Sequence, residues 1–233
     1  PIERKAEALY ESAVNVVEDI FENPRSGETI QRSRQIISHT VDFIISTPRS
    51  FVNLLTIRKH DYYTYTHSVN VCTFLVSLAQ ALGIHDRATL TSIGEGGLLH
   101  DLGKSMVPSA IINKRGPLTN TEWEEMRKHP RYGVEIARET RDLSDISLAI
   151  IGQHHEKPDG SGYPEGLKAS ELNIYANMAS IVDVYDAITT SRSYSAARSS
   201  MEGAQFLLSN RHHFNEKILL VFIRMLAVKK EDS

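Results

Sequence analysis

The chain has 233 residues, a length that can bury most of the unfolded surface in a folded core without disulfide bonds. It carries 26 Lys and Arg against 29 Asp and Glu, and the formal net charge of −3 leaves no basic surface for duplex nucleic acid. A single cysteine excludes a disulfide framework and a cysteine-rich zinc site. We therefore expect a small-molecule ligand, and any metal ion must be held by histidine and carboxylate side chains.

The sequence has no run of about 18 apolar residues and no apolar signal core behind its first residue, Pro1. It therefore predicts neither a membrane span nor an export signal, and a cytoplasmic location is the expectation. A chain that opens at Pro1 rather than at Met indicates a fragment or a processed chain, and an upstream regulatory domain would lie outside this sequence.

Residues 1–48 are predicted to form an N-terminal helical pair. Apolar residues recur at alternating spacings of four and three from Ile2 to Ile20, the segment Asn23–Gly27 interrupts them, and a second apolar stripe runs from Ile30 to Ile44. Two alternatives remain open for this pair. The helices either pack on the domain behind them or form a signalling stalk that makes a homodimer.

Residues 49–233 are predicted to form one all-α domain, because helical periodicity continues and no run of alternating strand residues occurs. Val69, Thr73, Val76 and Ala79 share one helix face, and similar stripes cover 200–208 and 216–226. Two glycine- and proline-containing segments, 113–117 and 158–164, are predicted to be loops, which is where binding residues tend to lie.

The ten histidines are the first indication of a metal site. The residues around each one distinguish candidate ligands from structural histidines. His60-Asp61 and His85-Asp86 lie at predicted helix starts, where an aspartate caps the helix. His212-His213 lies at a predicted helix C-terminus, where imidazoles interact favourably with the helix dipole. His100-Asp101 differs, because it closes an apolar helix and can present an imidazole and a carboxylate to metal ions.

Further candidate ligands come from other predicted helices. His154-His155 precedes the glycine-rich segment, whereas His67 and His129 taken singly are typical of core or capping histidines. Asp183 and Asp186 lie one turn apart in an apolar helix, so at least one of them needs a cation. Together these residue types predict a two-metal hydrolase in the core of a helical bundle.

The order of these residues resembles the HD superfamily of metal-dependent phosphohydrolases. Three segments narrow the resemblance to the HD-GYP domain of bacterial cyclic-dinucleotide phosphodiesterases, and the similarity runs from about Asp61 to Phe222. The segments are HDLGK at 100–104, KHPRYG at 128–133 and HHEKPDGSGYP at 154–164.

The resemblance implies an HD-type helical bundle, here with an N-terminal helical extension, that hydrolyses cyclic di-GMP to the linear dinucleotide and on to GMP. It implies two divalent metal ions, iron or manganese first and zinc, nickel or magnesium as alternatives. One metal would take His67, His100, Asp101 and Asp183, and the other His129, His154 and His155, with Asp101 bridging them. Asp101 and Lys104 would be catalytic, and the substrate would contact Lys104, Gly162, Tyr163, Pro164 and Arg192.

Three features of the sequence depart from the family pattern. Tyr63 replaces a glutamate that helps some members to bind a third metal, which favours a two-metal centre here. Ser193 and Ser195 replace a proline and a basic residue that are common beside Arg192, which bears on substrate affinity or identity. Gly96-Gly97 replaces residues that favour a helix, and nothing in the sequence explains this pair.

An active phosphodiesterase is the leading hypothesis, and two alternatives remain open. A catalytically weak module that senses a cyclic dinucleotide or binds a protein partner is consistent with Ser195 and the N-terminal helices. An HD enzyme that acts on mononucleotides is disfavoured by the loop from Gly160 to Pro164. The substrate is either cyclic di-GMP or the mixed cyclic GMP–AMP.

Overall fold

A computed structural model describes residues 2–47, 63–139, 143–190 and 198–227, and these residues form helices and loops without a β-strand. The all-α prediction is confirmed. Two short 3-10 helices, Leu102–Met106 and Arg211–His213, join longer elements. The α-helices are α1 (Ile2–Glu22), α2 (Gly27–Ser46), α3 (Tyr63–Ala81), α4 (Arg87–Leu99), α5 (Ser109–Ile112), α6 (Asn120–Met126), α7 (His129–Glu139), α8 (Asp145–Gln153), α9 (Ile174–Thr189), α10 (Ser200–Ser209) and α11 (Glu216–Ala227).

Local capping explains several helix boundaries. The Ser26 side chain accepts a hydrogen bond from the Thr29 amide at the start of α2, just after the predicted interruption. Asp86 caps α4 in the same way by accepting from the Thr89 amide, as its sequence position predicts. The His60-Asp61 pair lies outside the described residues.

Helix α3 lies at the centre of the bundle. The sequence pattern predicts one buried face, but polar residues of the other faces, including Ser68 and Asn70, are buried as well. The reason is that α1, α4, α9 and α11 all pack against α3 and leave it little contact with solvent. Polar side chains on α3 must therefore find partners inside the protein.

Close packing of α4 explains the Gly96-Gly97 pair. A Cβ atom on Gly96 would lie 2.8 Å from Cβ of Ile150 on α8, and one on Gly97 would lie 2.8 Å from Cδ1 of Leu75 on α3. Glycine therefore lets α4 approach both neighbours, at the cost of helix propensity. This approach brings the C-terminal end of α4, with His100 and Asp101, into the bundle core.

The N-terminal helices share the core of the bundle. Ala6, Tyr10 and Val17 of α1 belong to the same apolar cluster as the buried residues of α3. Glu95 of α4 is 7% exposed and accepts hydrogen bonds from Arg34 of α2, at 3.2 Å, and from Ser147 of α8, at 2.9 Å. Residues 2–47 thus pack on the helices that follow them, whereas the domain boundary after residue 48 and the homodimer stay predictions.

None of the helices in the described ranges combines the length and the apolar character that are needed to cross a membrane.

Candidate metal centre

Seven side chains that can bind metal converge at one end of the central helices. They come from five separate places in the chain, each at or beside a helix end or on a buried helix face. The ligand cluster consists of His67 on α3, His100 and Asp101 at the end of α4, His129 at the start of α7, His154 and His155 after α8, and Asp183 on α9.

Asp101 lies between two groups of histidines. Its Oδ2 atom is 3.4 Å from His100 Nε2 and 4.0 Å from His67 Nε2. Its Oδ1 atom faces the other way, 3.4 Å from His129 Nε2 and 4.0 Å from His154 Nε2. We call His67, His100 and Asp101 the first ligand group.

The second ligand group consists of Asp101, His129, His154 and His155, and within each group the donor atoms lie within 4.8 Å of one another. Asp183 adjoins the first group, with Oδ1 3.0 Å from His67 Nε2. It also approaches the second, with Oδ2 3.6 Å from His155 Nδ1. A carboxylate shared by two sets of nitrogen and oxygen donors is the arrangement that a two-metal centre requires.

Hydrogen bonds at Nδ1 orient several of these imidazoles. His100 Nδ1 donates to the Gly97 carbonyl at 2.7 Å, and His67 Nδ1 donates to Asp186 Oδ2 at 2.8 Å. Since carbonyl and carboxylate oxygens only accept, the proton is on Nδ1 and Nε2 points into the cluster with a free lone pair when the ring is neutral. Such partners fix the tautomer that binds a metal.

The contact between His129 and His154 points most directly to a cation. Each Nδ1 donates to a backbone carbonyl, that of Met126 at 2.8 Å for His129 and that of Ile151 at 3.0 Å for His154. Burial lowers the pKa of His129 to about 3 and also lowers that of His154, so both rings are neutral at pH 7. Their Nε2 atoms nevertheless lie 3.2 Å apart, lone pair to lone pair. A metal ion bound to both nitrogens would satisfy them.

Two further atoms of the ligand cluster, a ring nitrogen and a carboxylate oxygen, also indicate a bound cation. Within the described residues, His100 Nε2 and Asp101 Oδ1 are buried without a hydrogen-bond partner. A buried polar atom without a partner costs about 1–3 kcal/mol, and a bound ion is one of the ways in which native proteins satisfy such an atom. His100 Nε2 belongs to the first ligand group, and Asp101 Oδ1 faces the histidines of the second. The unsatisfied atoms therefore fit one metal ion in each group.

Charges within the cluster keep its carboxylates ionised. Burial alone would raise the pKa of Asp101, but Lys104 and His100 outweigh burial and hold it well below its usual range. Burial likewise opposes a lower pKa at Asp183, yet the hydrogen bond from His67 prevails and lowers it. Both carboxylates are therefore anionic and ready to bind a cation at neutral pH. Asp183 and Asp186 in turn outweigh burial at His67 and raise its pKa to about 10, so this ring carries a second proton on Nε2 until a cation replaces it.

Lys104 lies beside the shared carboxylate rather than within a ligand group. Its Nζ atom is 2.6 Å from Asp101 Oδ2, and its side chain is 29% exposed, against 2% for that of Asp101. The ammonium group therefore stands between the buried cluster and solvent. This is the side from which an anionic substrate would approach.

The glycine-rich loop (residues 158–164) covers the second ligand group. The Tyr163 ring stacks on His155 with the ring centres 4.7 Å apart, and the Arg127 guanidinium lies 5.6 Å from the centre of the Tyr163 ring. A Cβ atom on Gly162 would lie 2.4 Å from the amide nitrogen of Lys157, so the loop can fold back on its own start only with glycine there. The peptide between Tyr163 and Pro164 is cis.

Glu156, which no pattern in the sequence marks as functional, fixes the end of this loop. The residue is 1% exposed. Its Oε1 atom accepts from the amides of Glu165, at 2.6 Å, and Gly166, at 3.1 Å, and its Oε2 atom accepts from the amide of Leu167 at 2.9 Å. One buried carboxylate thus holds the chain directly after Tyr163 and Pro164. Its position directly after His154-His155 is the one sequence feature that could have indicated a role for Glu156.

Asp186 has a different role from Asp183, its neighbour one turn earlier. It is fully buried and accepts hydrogen bonds from His67 Nδ1, at 2.8 Å, from Asn70 Nδ2, at 2.9 Å, and from Thr190 Oγ1, at 3.1 Å. Its oxygens are occupied by these donors, so Asp186 orients the His67 ring through Nδ1, on the side away from the ligand cluster. Of the two aspartates that the sequence singled out, only Asp183 faces the ligand cluster.

Arg192, together with Ser193 and Ser195, lies outside the described residues, so its contact with substrate stays a prediction. The His212-His213 pair is described and lies in a 3-10 helix after α10, rather than in the last turn of an α-helix. His213 Nδ1 contacts Asp159 Oδ2 of the glycine-rich loop at 2.9 Å.

We expect His212→Ala and His213→Ala to leave the metal content unchanged. Neither residue belongs to a ligand group in the part of the chain that the structure describes, and the contact of His213 is with a loop aspartate. Elemental analysis of both variants, with His100→Ala as the variant that should lose metal, checks this. Loss of metal from His212→Ala or His213→Ala would show that this doublet belongs to the metal centre.

Known proteins share both the sequence pattern and the fold. The HD domain family matches residues 33–218. Cyclic di-GMP phosphodiesterase PA4108 of Pseudomonas aeruginosa is 32% identical over 227 residues, covering 97% of this chain and 55% of that protein. 3'3'-cGAMP-specific phosphodiesterase 2 of Vibrio cholerae is 35% identical over 158 residues, covering 67% of this chain and 30% of that protein.

Among solved structures, Bd1817, a HDG"Y"P protein from Bdellovibrio bacteriovorus, superposes with a TM-score of 0.82 at 25% identity, over 97% of this chain and 73% of that one. The chain thus spans about half of the first curated relative and less of the second. Since the family match covers most of the chain, the chain belongs to the HD domain family, and its resemblance to the HD-GYP domain is confirmed.

Proposed function

We propose that this chain is a metal-dependent phosphodiesterase that hydrolyses a cyclic dinucleotide, cyclic di-GMP first, to the linear dinucleotide and on to GMP. The observation that carries the proposal is Asp101, whose two oxygens face two separate sets of histidine nitrogens. The curated relatives, named for cyclic di-GMP and for 3'3'-cGAMP, support the substrate class. A cytoplasmic location and an upstream regulatory domain stay predictions.

The ligand cluster would hold two divalent ions. His67, His100, Asp101 and Asp183 would bind one, and His129, His154, His155 and Asp101 the other, which agrees with the two groups of donor atoms. Nitrogen and oxygen donors suit iron or manganese, with zinc, nickel or magnesium as alternatives. When bound, such ions supply Lewis-acid stabilisation of phosphoryl oxygens and a water molecule with a lowered pKa.

Lys104 and the glycine-rich loop would then act on the substrate. The Lys104 ammonium is at the exposed edge of Asp101, so it can contact the scissile phosphate and stabilise charge that develops on its oxygens. Tyr163 and Pro164 would face a base, and Gly162 would let the loop lie close to it. Burial raises the pKa of Tyr163, which keeps its hydroxyl protonated as a hydrogen-bond donor. Arg192 is proposed for the far side of the nucleotide.

A hydrolysis assay tests the proposal. The chain is loaded anaerobically with Fe²⁺ or Mn²⁺ and incubated with cyclic di-GMP and, separately, with 3'3'-cGAMP. We expect cyclic di-GMP to give the linear dinucleotide, and a chelator to stop the reaction. Faster turnover of 3'3'-cGAMP would change the preferred substrate but not the reaction. Consumption of neither compound would contradict the proposal, and tight binding without turnover would support the sensor alternative.

We predict two tightly bound metal ions per chain. Tyr63 begins α3 one turn before His67, and a phenol with a pKa near 10 is a poor replacement for a carboxylate ligand at neutral pH. Elemental analysis and anomalous scattering from metal-loaded crystals give the number of metal ions bound per chain. A third fully occupied peak beside Tyr63 would contradict it. In Tyr63→Glu, a gain of metal would confirm that this position adjoins the first ligand group.

A further inference from the structure

A line of four buried side chains connects the N-terminal helix to the ligand cluster. The Tyr10 hydroxyl of α1 donates to Asn70 Oδ1 of α3 at 3.1 Å, and Asn70 Nδ2 donates to Asp186 Oδ1 of α9 at 2.9 Å. Asp186 Oδ2 accepts from His67 Nδ1 at 2.8 Å. Tyr10 is 5% exposed, and the other three residues are 0–4% exposed.

The donors and acceptors in this line can be arranged in only one way. The Asn70 Nδ2 atom faces Asp186 Oδ1, and a carboxylate oxygen accepts, so Asn70 presents its NH₂ group to Asp186 and its carbonyl oxygen to Tyr10. Tyr10 must then donate its hydroxyl proton. With one oxygen of Asp186 taken by Asn70, the other is fixed towards His67, whose proton is held on Nδ1 and whose Nε2 faces the ligand cluster.

Tyr10 lies outside the stretch that matches the HD domain family, residues 33–218, whereas Asn70, Asp186 and His67 lie inside it. Helix α1 therefore supplies a polar group to a ligand of the matched domain. Around Tyr10, α1 also contributes Ala6, Ala13 and Val17 to the same apolar core cluster. The Tyr10–Asn70 hydrogen bond leads from α1 to the ligand cluster.

We propose that Tyr10 is a positioning residue through which α1 sets the affinity of the first ligand group for its metal. A displacement of α1 from α3 would break the Tyr10–Asn70 bond, free the Asn70 amide and loosen the orientation of Asp186 and His67. The N-terminal helices would then transmit a regulatory input to the metal centre. The inference rests on the proposed function as far as the cluster binds metal.

Tyr10→Phe tests the proposal, because it removes the hydroxyl and keeps the ring in the core. We expect the affinity for Co²⁺, titrated alone into the metal-free chain, to fall about 3- to 10-fold, less than the 10- to 100-fold typical for a direct partner of a ligand. The visible d–d spectrum of the bound ion should change as well. Tyr175→Phe on α9, which removes the hydroxyl of a tyrosine outside this line, is the control and should bind Co²⁺ like the wild type.

A double-mutant cycle separates this role from simple packing. Asp186→Asn should weaken Co²⁺ binding by about 10- to 100-fold, as expected for a direct partner of a ligand. If Tyr10 acts through Asp186, then Tyr10→Phe should cause little further loss of affinity in the Asp186→Asn background. A residue that only fills the core would lower the free energy of unfolding of the metal-free chain and leave Co²⁺ affinity unchanged.

Co²⁺ affinity of Tyr10→Phe within twofold of the wild type, or losses that add fully in the double variant, would overturn the inference. A wild-type chain that binds no Co²⁺ would overturn the proposed function together with it. A wild-type chain that binds Co²⁺, responds to Tyr10→Phe as expected and hydrolyses no cyclic dinucleotide would support the positioning role and contradict the proposed activity alone.

Discussion

Asp101→Ala is expected to abolish turnover of a cyclic dinucleotide and to lower the content of both metals. The carboxylate contributes one oxygen to each ligand group, so its removal weakens both at once. We expect metal affinity to fall by more than about 100-fold, beyond the loss that follows replacement of an outer partner. Elemental analysis and the hydrolysis assay measure the two effects. The fold should persist, because the apolar clusters of the bundle are not altered.

Asp86→Ala is the matched control for this variant. Asp86 also follows a histidine, but its carboxylate caps α4 by accepting from the Thr89 amide and lies outside both ligand groups. The control should lose some stability and keep both metals and full activity. Two metals per chain in Asp101→Ala would show that Asp101 does not bridge them.

Glu156→Gln is expected to lower kcat/KM for the cyclic dinucleotide by about 10- to 100-fold while both metals remain bound, since a displacement of about 1 Å at a positioning group has effects of this size. The glutamine amide can replace only one of the two accepting oxygens and places an NH₂ group against a backbone amide donor. The segment after Tyr163 would shift. Because the carboxylate is buried, we also expect a loss of about 1–3 kcal/mol in the free energy of unfolding.

Glu165→Gln provides a control in the same segment. Glu165 pairs with Arg131 on the surface, its side chain is 53% exposed, and such ion pairs contribute little. Steady-state kinetics and metal analysis of both variants should show an effect for Glu156→Gln alone. Unchanged kcat/KM in Glu156→Gln would mean that the loop keeps its conformation without this carboxylate.

Most of the candidate ligands could be singled out from the sequence because they lie at positions with local signals. His100-Asp101 ends an apolar helix and His154-His155 precedes the glycine-rich loop, and both features can be recognised within about ten residues. The capping role of Asp86 follows from the same kind of local pattern. These positions agree with the helix boundaries in the structure.

Interactions between distant residues could not be predicted from such patterns. His67 and Asp186 are 119 residues apart, and nothing local to either indicates that one orients the other. Glu156 binds three backbone amides, and backbone amides carry no residue-type signal. The burial of α3 on several faces likewise depends on the helices packed around it, and its own residue pattern does not indicate them.

The most direct test of the account is a titration of the metal-free chain with Mn²⁺, in which hydrolysis of cyclic di-GMP is measured at each metal equivalent. Because Asp101 joins the two ligand groups, we predict no hydrolysis in the presence of a chelator and a maximal rate at two equivalents per chain. A maximal rate at one equivalent, or hydrolysis that persists in the chelated chain, would contradict the two-metal centre.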